Sequence, residues 1–323
     1  ITAMAPITRR GRAYFAPVDR AGGVATLWDP AGIAGFNTET PPPPWRDLGW
    51  CTSFVRKSGT VVGALIAGAP GMPIGQVRTE IGASVTLEFE SWGKLQMALT
   101  AGTQQMNVLA TLPGAQANGS GGVAVTATAL LSGSSGSTLN VGMASAMYSV
   151  GDLVVVDLDY TGTTGFVGSG VSGGYVKAAA AIGTSVDYIR RVSLNVGRVT
   201  AIAGGVPSDR RVLTLGSPLF AGAPVTGMRV ARVAGFCDRE GGSFFQEWSG
   251  LFVMECEQGD RIVFHYPRLQ AYTGATERAE SLATGLEKYK LAGSFGALPV
   301  KDASDGEMVV CFRSYLPGAM RAV

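Results

Sequence analysis

The chain has 323 residues, a net charge of +2, a mean hydropathy of +0.22 and 15% charged residues, against about 25% in an average soluble domain. The near-neutral balance lacks the basic footprint of a nucleic-acid reader. The most apolar stretch, Val61 to Gly75, is broken by Gly63, Gly68, Pro70, Gly71 and Pro73, so no spanning helix and no membrane insertion are expected. No charged residue or histidine occurs between Lys94 and Asp152, and such a chain is expected to cover much of its surface with neighbouring subunits.

In chain order, Gly11 to Ala16 and Gly23 to Trp28 are predicted as short strands. Asp29 to Trp50 is predicted as irregular and contains four consecutive prolines, Pro41 to Pro44. Proline fixes its own φ and lacks an amide hydrogen, so this run reads as a stiff extended arm. Pro41, Pro44, Trp45, Arg46, Asp47 and Trp50 are the candidate residues of an inter-subunit arm. The competing expectation is that the two tryptophans tuck the arm onto their own domain. Residues Val77 to Glu90 alternate apolar and polar, which predicts one long half-buried strand. Arg78, Glu80, Glu88 and Glu90 fall on its polar face. Ser91 is the expected N-cap and Gly102 the expected stop of a short helix, with Trp92, Leu95 and Leu99 as one apolar stripe.

From about Gly114 to Gly235 the chain is rich in Gly, Ala, Ser and Val. Val123–Leu131, Leu153–Tyr160, Arg198–Ile202 and Arg211–Leu215 read as strands between turn residues. The expectation is a small β-domain, 114–235, inserted into a discontinuous domain of 1–113 and 236–323. Phe244–Cys256 and Arg261–Tyr266 are predicted as a hairpin whose loop uses Gly259. Tyr272 to Ala297 gives no clear pattern. Met308 to Tyr315 is predicted as a last strand, and the two chain ends are expected to share one sheet.

The residues offer little chemistry. His265 is the only histidine, expected as a polar outward position on the hairpin. With one His and no Cys-x-x-Cys pair, the usual zinc sites cannot be assembled within one chain. Cys51, Cys237, Cys256 and Cys311 are expected to be reduced thiols of a protein made in a cytoplasm, since no signal-peptide pattern opens the chain; a disulfide between distant strands stays open. Gly168 to Gly173 matches G-x-G-x-x-G, but another Gly follows and Asp187 is nearer than a dinucleotide site needs, so a Gly-rich loop is expected. Asp157 with Asp159, Asp302 with Asp305, Arg190–Arg191 and Arg210–Arg211 read as solvated positions. No catalytic residue, metal site or cofactor is expected.

Several segments together resemble the phage major tail tube proteins. Trp45-Arg-Asp-Leu-Gly49 resembles the turn after the N-terminal arm of that family. Val77 to Phe89 with the Trp92–Leu99 helix resembles its signature strand and helix. Asp260 to Pro267, and Leu298 to Arg313, resemble its last hairpin and closing strand. The resemblance covers roughly the first 112 and last 90 residues. It implies a mainly β tail-tube sandwich or barrel with one packed helix and an extended arm, beside the inserted β-domain. It implies a structural virion protein, not an enzyme, assembled in the host cytoplasm. The resemblance further implies that six subunits form a ring by joining sheets, and that the rings stack into a hollow tube. The implied partners are the chain itself, the tape measure protein, and the tail terminator and distal tail proteins; DNA passes without specific binding. Arg78, Glu80, Glu88 and Glu90 are then candidates for the lumen or a ring interface. A sheath leaves little room for the insert, so a non-contractile tail with the insert outside is expected. The alternatives are a head–tail connector or baseplate ring, and a secreted β-sandwich binding module.

Overall fold

Tyr14 and Phe15 are neighbours in strand β1 (Thr8–Pro17), and both are fully buried on opposite faces. Successive strand side chains point to opposite sides, so β1 carries protein on both. The computed structural model describes residues 8–18, 24–42, 44–102, 104–110, 126–157, 195–204, 211–219, 222–239, 246–257, 259–283 and 285–318. The chain is mainly β and forms two compact units, 1–102 with 245–323, and 103–244.

Strand β2 spans Arg46–Ala67 and β3 spans Met72–Phe89, paired along almost their whole length. Helix α1 covers Lys94–Ala101 and ends at Gly102, whose φ of 65° is the left-handed stop expected from the sequence. Its N-cap is Gly93 rather than Ser91, whose hydroxyl instead donates to the Leu48 carbonyl. Trp92 therefore lies outside the helix and is exposed, while Leu99 is buried.

The second unit holds β4 (Gln104–Leu109), β5 (Thr128–Ala129), β6 (Thr138–Asn140), β7 (Leu153–Asp157), β8 (Val196–Gly204), β9 (Arg211–Leu215) and β10 (Arg229–Arg239). They form one antiparallel sheet in the order β4-β10-β7-β8-β9-β6, with β5 also on β10. Val154 and Val156 pack on one side with Leu139, Val199, Leu213 and Val230; Val155 packs on the other with Leu109 and Ala231. The sequence boundaries near 113 and 236 fall inside this unit, because β4 pairs with β10 and carries both segments into the insert. The 168–173 glycine motif, Asp159, Asp187, Arg190, Arg191 and Arg210 lie outside the described residues.

Back in the first unit, β11 (Trp248–Cys256) and β12 (Arg261–Ala283) form the predicted hairpin, with Gly259 at φ 82° in its loop. Strand β13 (Leu286–Ala297) returns along β12. Short β14 (Val300–Lys301) and β15 (Met308–Val309) pair with each other, and β16 (Phe312–Leu316) pairs with β12. The pairings β1-β2-β3-β13-β12-β11 close on β1, an antiparallel barrel with β16 on its outside edge.

Contacts between strands that are not neighbours define the barrel interior. Phe15 of β1 meets Phe295 of β13 with ring centroids 5.4 Å apart, and Phe54 of β2 meets Phe252 of β11 at 5.2 Å. The opposite face of β1, β11 and β12 is covered by a strap formed by residues 24–42 and 44–45. Its Trp28, Ile33, Phe36 and Trp45 pack on Tyr14, Leu251, Val253 and Val263. Tyr14 donates its hydroxyl to the Thr38 carbonyl at 2.9 Å. The strand expected over Gly23–Trp28 is absent from the described part, where only Val24 makes an isolated bridge.

Candidate assembly surface

The alternating segment forms one strand, as expected, but only half of it is half-buried. Val85, Leu87 and Phe89 enter the barrel; Val77 and Ile81 do not. The reason is the pairing. Beyond Ala83, β3 has β2 as its only partner among the described residues, since β13 reaches from Phe89 to Ala83 and stops. The β2–β3 hairpin thus overhangs the barrel and exposes apolar side chains, Ile66 at 67% and Ile74 at 71%. The β12–β13 hairpin overhangs as well. Leu291 lies opposite Phe89 and Ala297 opposite Ala83, so its turn is at the other end of the shared sheet.

Four strands, β2-β3-β13-β12, make up this sheet. β2 pairs with β1 only through Cys51, and β12 with β11 only up to Leu269. Among the described residues, 52–67 of β2 and 270–283 of β12 therefore each present one edge with no strand beside it. Edges of this length are aggregation templates unless something pairs with them.

The polar face of the sheet is not a bare acidic surface. Glu88 is 8% exposed and held between Arg278, at 2.7 Å, and Lys290, at 3.0 Å; Lys290 also reaches Glu280 at 2.5 Å. These contacts hold the Glu280 carboxyl below, and the Lys290 ammonium above, their usual ranges. Arg78 and Glu80 are exposed on the overhang, and the Glu90 amide donates to the Trp50 carbonyl. A cleft of about 390 Å3 opens on this face beside Lys57, Ser84, Gln270 and Tyr272. Among the described residues, Lys57 is its only charged lining residue.

Trp45, Asp47 and Trp50 are engaged by their own unit, as the tucked alternative expects for the two tryptophans. Trp45 is 5% exposed within the strap cluster. Asp47 receives the Arg12 guanidinium through Nε at 3.0 Å, and Glu39 receives it through Nη1 at 2.5 Å. Arg12 lies over the Trp50 ring at 5.1 Å. Asp47-Leu48-Gly49 is a bulge within β2, because Tyr14 pairs with Asp47 but Arg12 with Trp50. Gly49 has φ 85° there, and its amide donates to Asp47 Oδ1 at 2.8 Å. Arg46 is partly buried, and burial lowers its pKa. Pro41 and Pro44 lie in the described part of the strap, with Pro44 exposed.

His265 departs from its expected outward position. It is 2% exposed, because its face of β12 is the one beneath the strap. Burial pushes the imidazole down to about 4. The Cys51 and Cys256 thiols are buried and Cys311 is half-buried, and none of the three is in a disulfide; the Cys237 side chain lies outside the described residues. Burial raises Cys51 to about 12. Among the described residues, no three His, Cys, Asp or Glu side chains are placed to share a metal ion. No described helix is long and apolar enough to cross a membrane.

The sequence reading missed β2 as a strand. Its signal was present as the apolar run 61–66, joined to the alternating segment by Gly68-Ala-Pro-Gly71, a turn with Gly68 at φ 91°. Comparison of the sequence with protein-family models and with curated proteins finds no match.

Proposed function

We propose that this chain is the subunit of a phage tail tube, joined to its copies through the β2-β3-β13-β12 sheet. The observation that carries the reading is the pair of unpaired edges on that sheet. Neighbouring strands alternate in direction, so β12 of one copy meets β2 of the next antiparallel, and a ring of copies leaves no edge open. Six copies of the four strands, as the resemblance implies, make a barrel roughly 45–50 Å across at ordinary strand spacing and tilt. Its lumen face is the one carrying Lys57, Arg78, Glu80 and the neutralised Glu88. Mixed charge suits a conduit that lets DNA pass without holding its phosphates.

In this reading the protein is a structural component of the virion. The tube encloses a tape measure protein and meets terminator and distal tail proteins at its ends. A 103–244 unit of this size suits a tail without a sheath. Sedimentation velocity at rising concentration, with negative-stain microscopy of the same samples, tests the proposal. Rings that stack into tubes are expected. A dispersed monomer at all concentrations contradicts it, and rings that never stack favour the head–tail connector.

A further inference from the structure

His265 sits where the strap crosses the sheet. Its Nδ1 accepts the Trp28 amide at 3.3 Å, its ring stands edge-on to Trp45 at 5.8 Å, and Phe312 packs beside it at 6.0 Å. Two residues earlier, the Thr26 amide donates to Ser249 Oγ at 3.0 Å, and Ser249 donates to the Pro267 carbonyl at 2.7 Å. A ring that accepts at Nδ1 carries its proton on Nε2, which has no hydrogen-bond partner among the described residues. The elements packed against it present Leu251 from β11, Phe312 from β16, and Trp28 and Trp45 from the strap; none is charged. The far end of the strap is fixed differently, by Glu39 and Asp47 on Arg12.

We propose that His265 is an acid-operated latch for the strap, whose protonation frees the Thr26–Trp28 end and uncovers the apolar face of β1, β11 and β12. Protonation places a hydrogen on Nδ1, so a donor faces the Trp28 amide where an acceptor stood. It also places a charge among Trp28, Trp45 and Phe312 with no carboxylate facing it among the described residues; burial outweighs the backbone hydrogen bonding at Trp28 and Thr26 that favours the charged ring. Opening the strap returns both groups to water. The carboxylate end is expected to hold while the latch end opens, since Arg12 lowers the Glu39 pKa and keeps it ionised to lower pH.

The sign follows from the two protonation states. Burial lowers the closed ring to about 4, and the open ring returns to 6.5, so acid favours the open strap across that window. From pH 7 to pH 5 the open fraction should rise about 20-fold.

Amide hydrogen exchange of the folded protein, corrected for intrinsic rates, reads this directly. Protection at Thr26 and Trp28 should fall about 20-fold between pH 7 and pH 5, while Val154 and Val199 in the second unit keep theirs. In His265→Asn, whose side-chain oxygen can replace Nδ1 as acceptor without titrating, protection should be independent of pH. Unchanged protection in the natural protein, or the same acid loss in the variant, overturns the proposal. If the variant does not fold, NMR titration of His265 decides: a ring that titrates near 6.5 while Trp28 stays protected overturns it equally.

Discussion

Ser53 is the one non-glycine among the described residues with positive φ, at 52°. It lies in a bulge where Thr52 pairs with Glu88 but Val55 with Thr86, and this extra length turns Phe54 into the barrel against Phe252 and Phe264. Ser53→Gly should hold or raise stability by up to about 1 kcal/mol, whereas a β-branched Ser53→Val should lower it by about 1–2 kcal/mol. Chemical denaturation of both variants checks the pair. Glu88 supports a second prediction. Glu88→Ala leaves Arg278 and Lys290 without their shared carboxylate at a mostly buried position, with an expected loss of about 1–3 kcal/mol. The loss should shrink in high salt, because Arg278 is solvent-exposed; urea midpoints at two salt concentrations measure it. The buried imidazole sets a pH slope. Its folded value of about 4 lies below the unfolded 6.5, so its contribution is complete above about pH 6.5 and is lost as pH falls toward 4, by up to about 3 kcal/mol or by the free energy that holds the strap closed, whichever is smaller.

At the scale of elements, legibility followed burial on one face. The Val85–Phe89 half of β3 was readable because one side enters the barrel and the other does not. β2 was not, because 55–67 is exposed on both faces and alternation has nothing to separate. In the second half of β12, 276–281 is likewise exposed on both faces. The insert boundary was misplaced because β4 and β10 differ little in composition from the strands around them; only their pairing assigns them. Helix α1 packs on the sheet through a close approach at Gly293, where an added Cβ would lie 2.8 Å from Thr100 Cγ2 and 2.9 Å from Phe295 Cε2. Gly293→Ala should therefore cost about 1–3 kcal/mol by overpacking, read as a lower thermal midpoint. The overhang should behave oppositely. Replacing residues 62–79 with a two-residue Asn-Gly turn between Val61 and Glu80, which face each other across the hairpin, removes mostly exposed side chains. The shortened protein should melt within a few degrees of the natural one yet fail to form the proposed assembly, measured by calorimetry and sedimentation.

At the scale of the molecule, the proposed assembly would account together for the low charge, the apolar overhang and the two open edges, by making the folded chain a part rather than a finished surface. Composition alone pointed that way, and the long alternating strand pointed to the sheet. Which edges are open could not be read from sequence, because it depends on where β1 and β11 stop pairing. A cryo-electron microscopy map of the assembled protein tests this most directly. The account predicts 270–283 of β12 in one copy hydrogen-bonded antiparallel to 52–67 of β2 in the next, around a closed barrel with Arg78 and Glu80 on its inner wall. An assembly joined through other surfaces, with those two edges still unpaired, would contradict it.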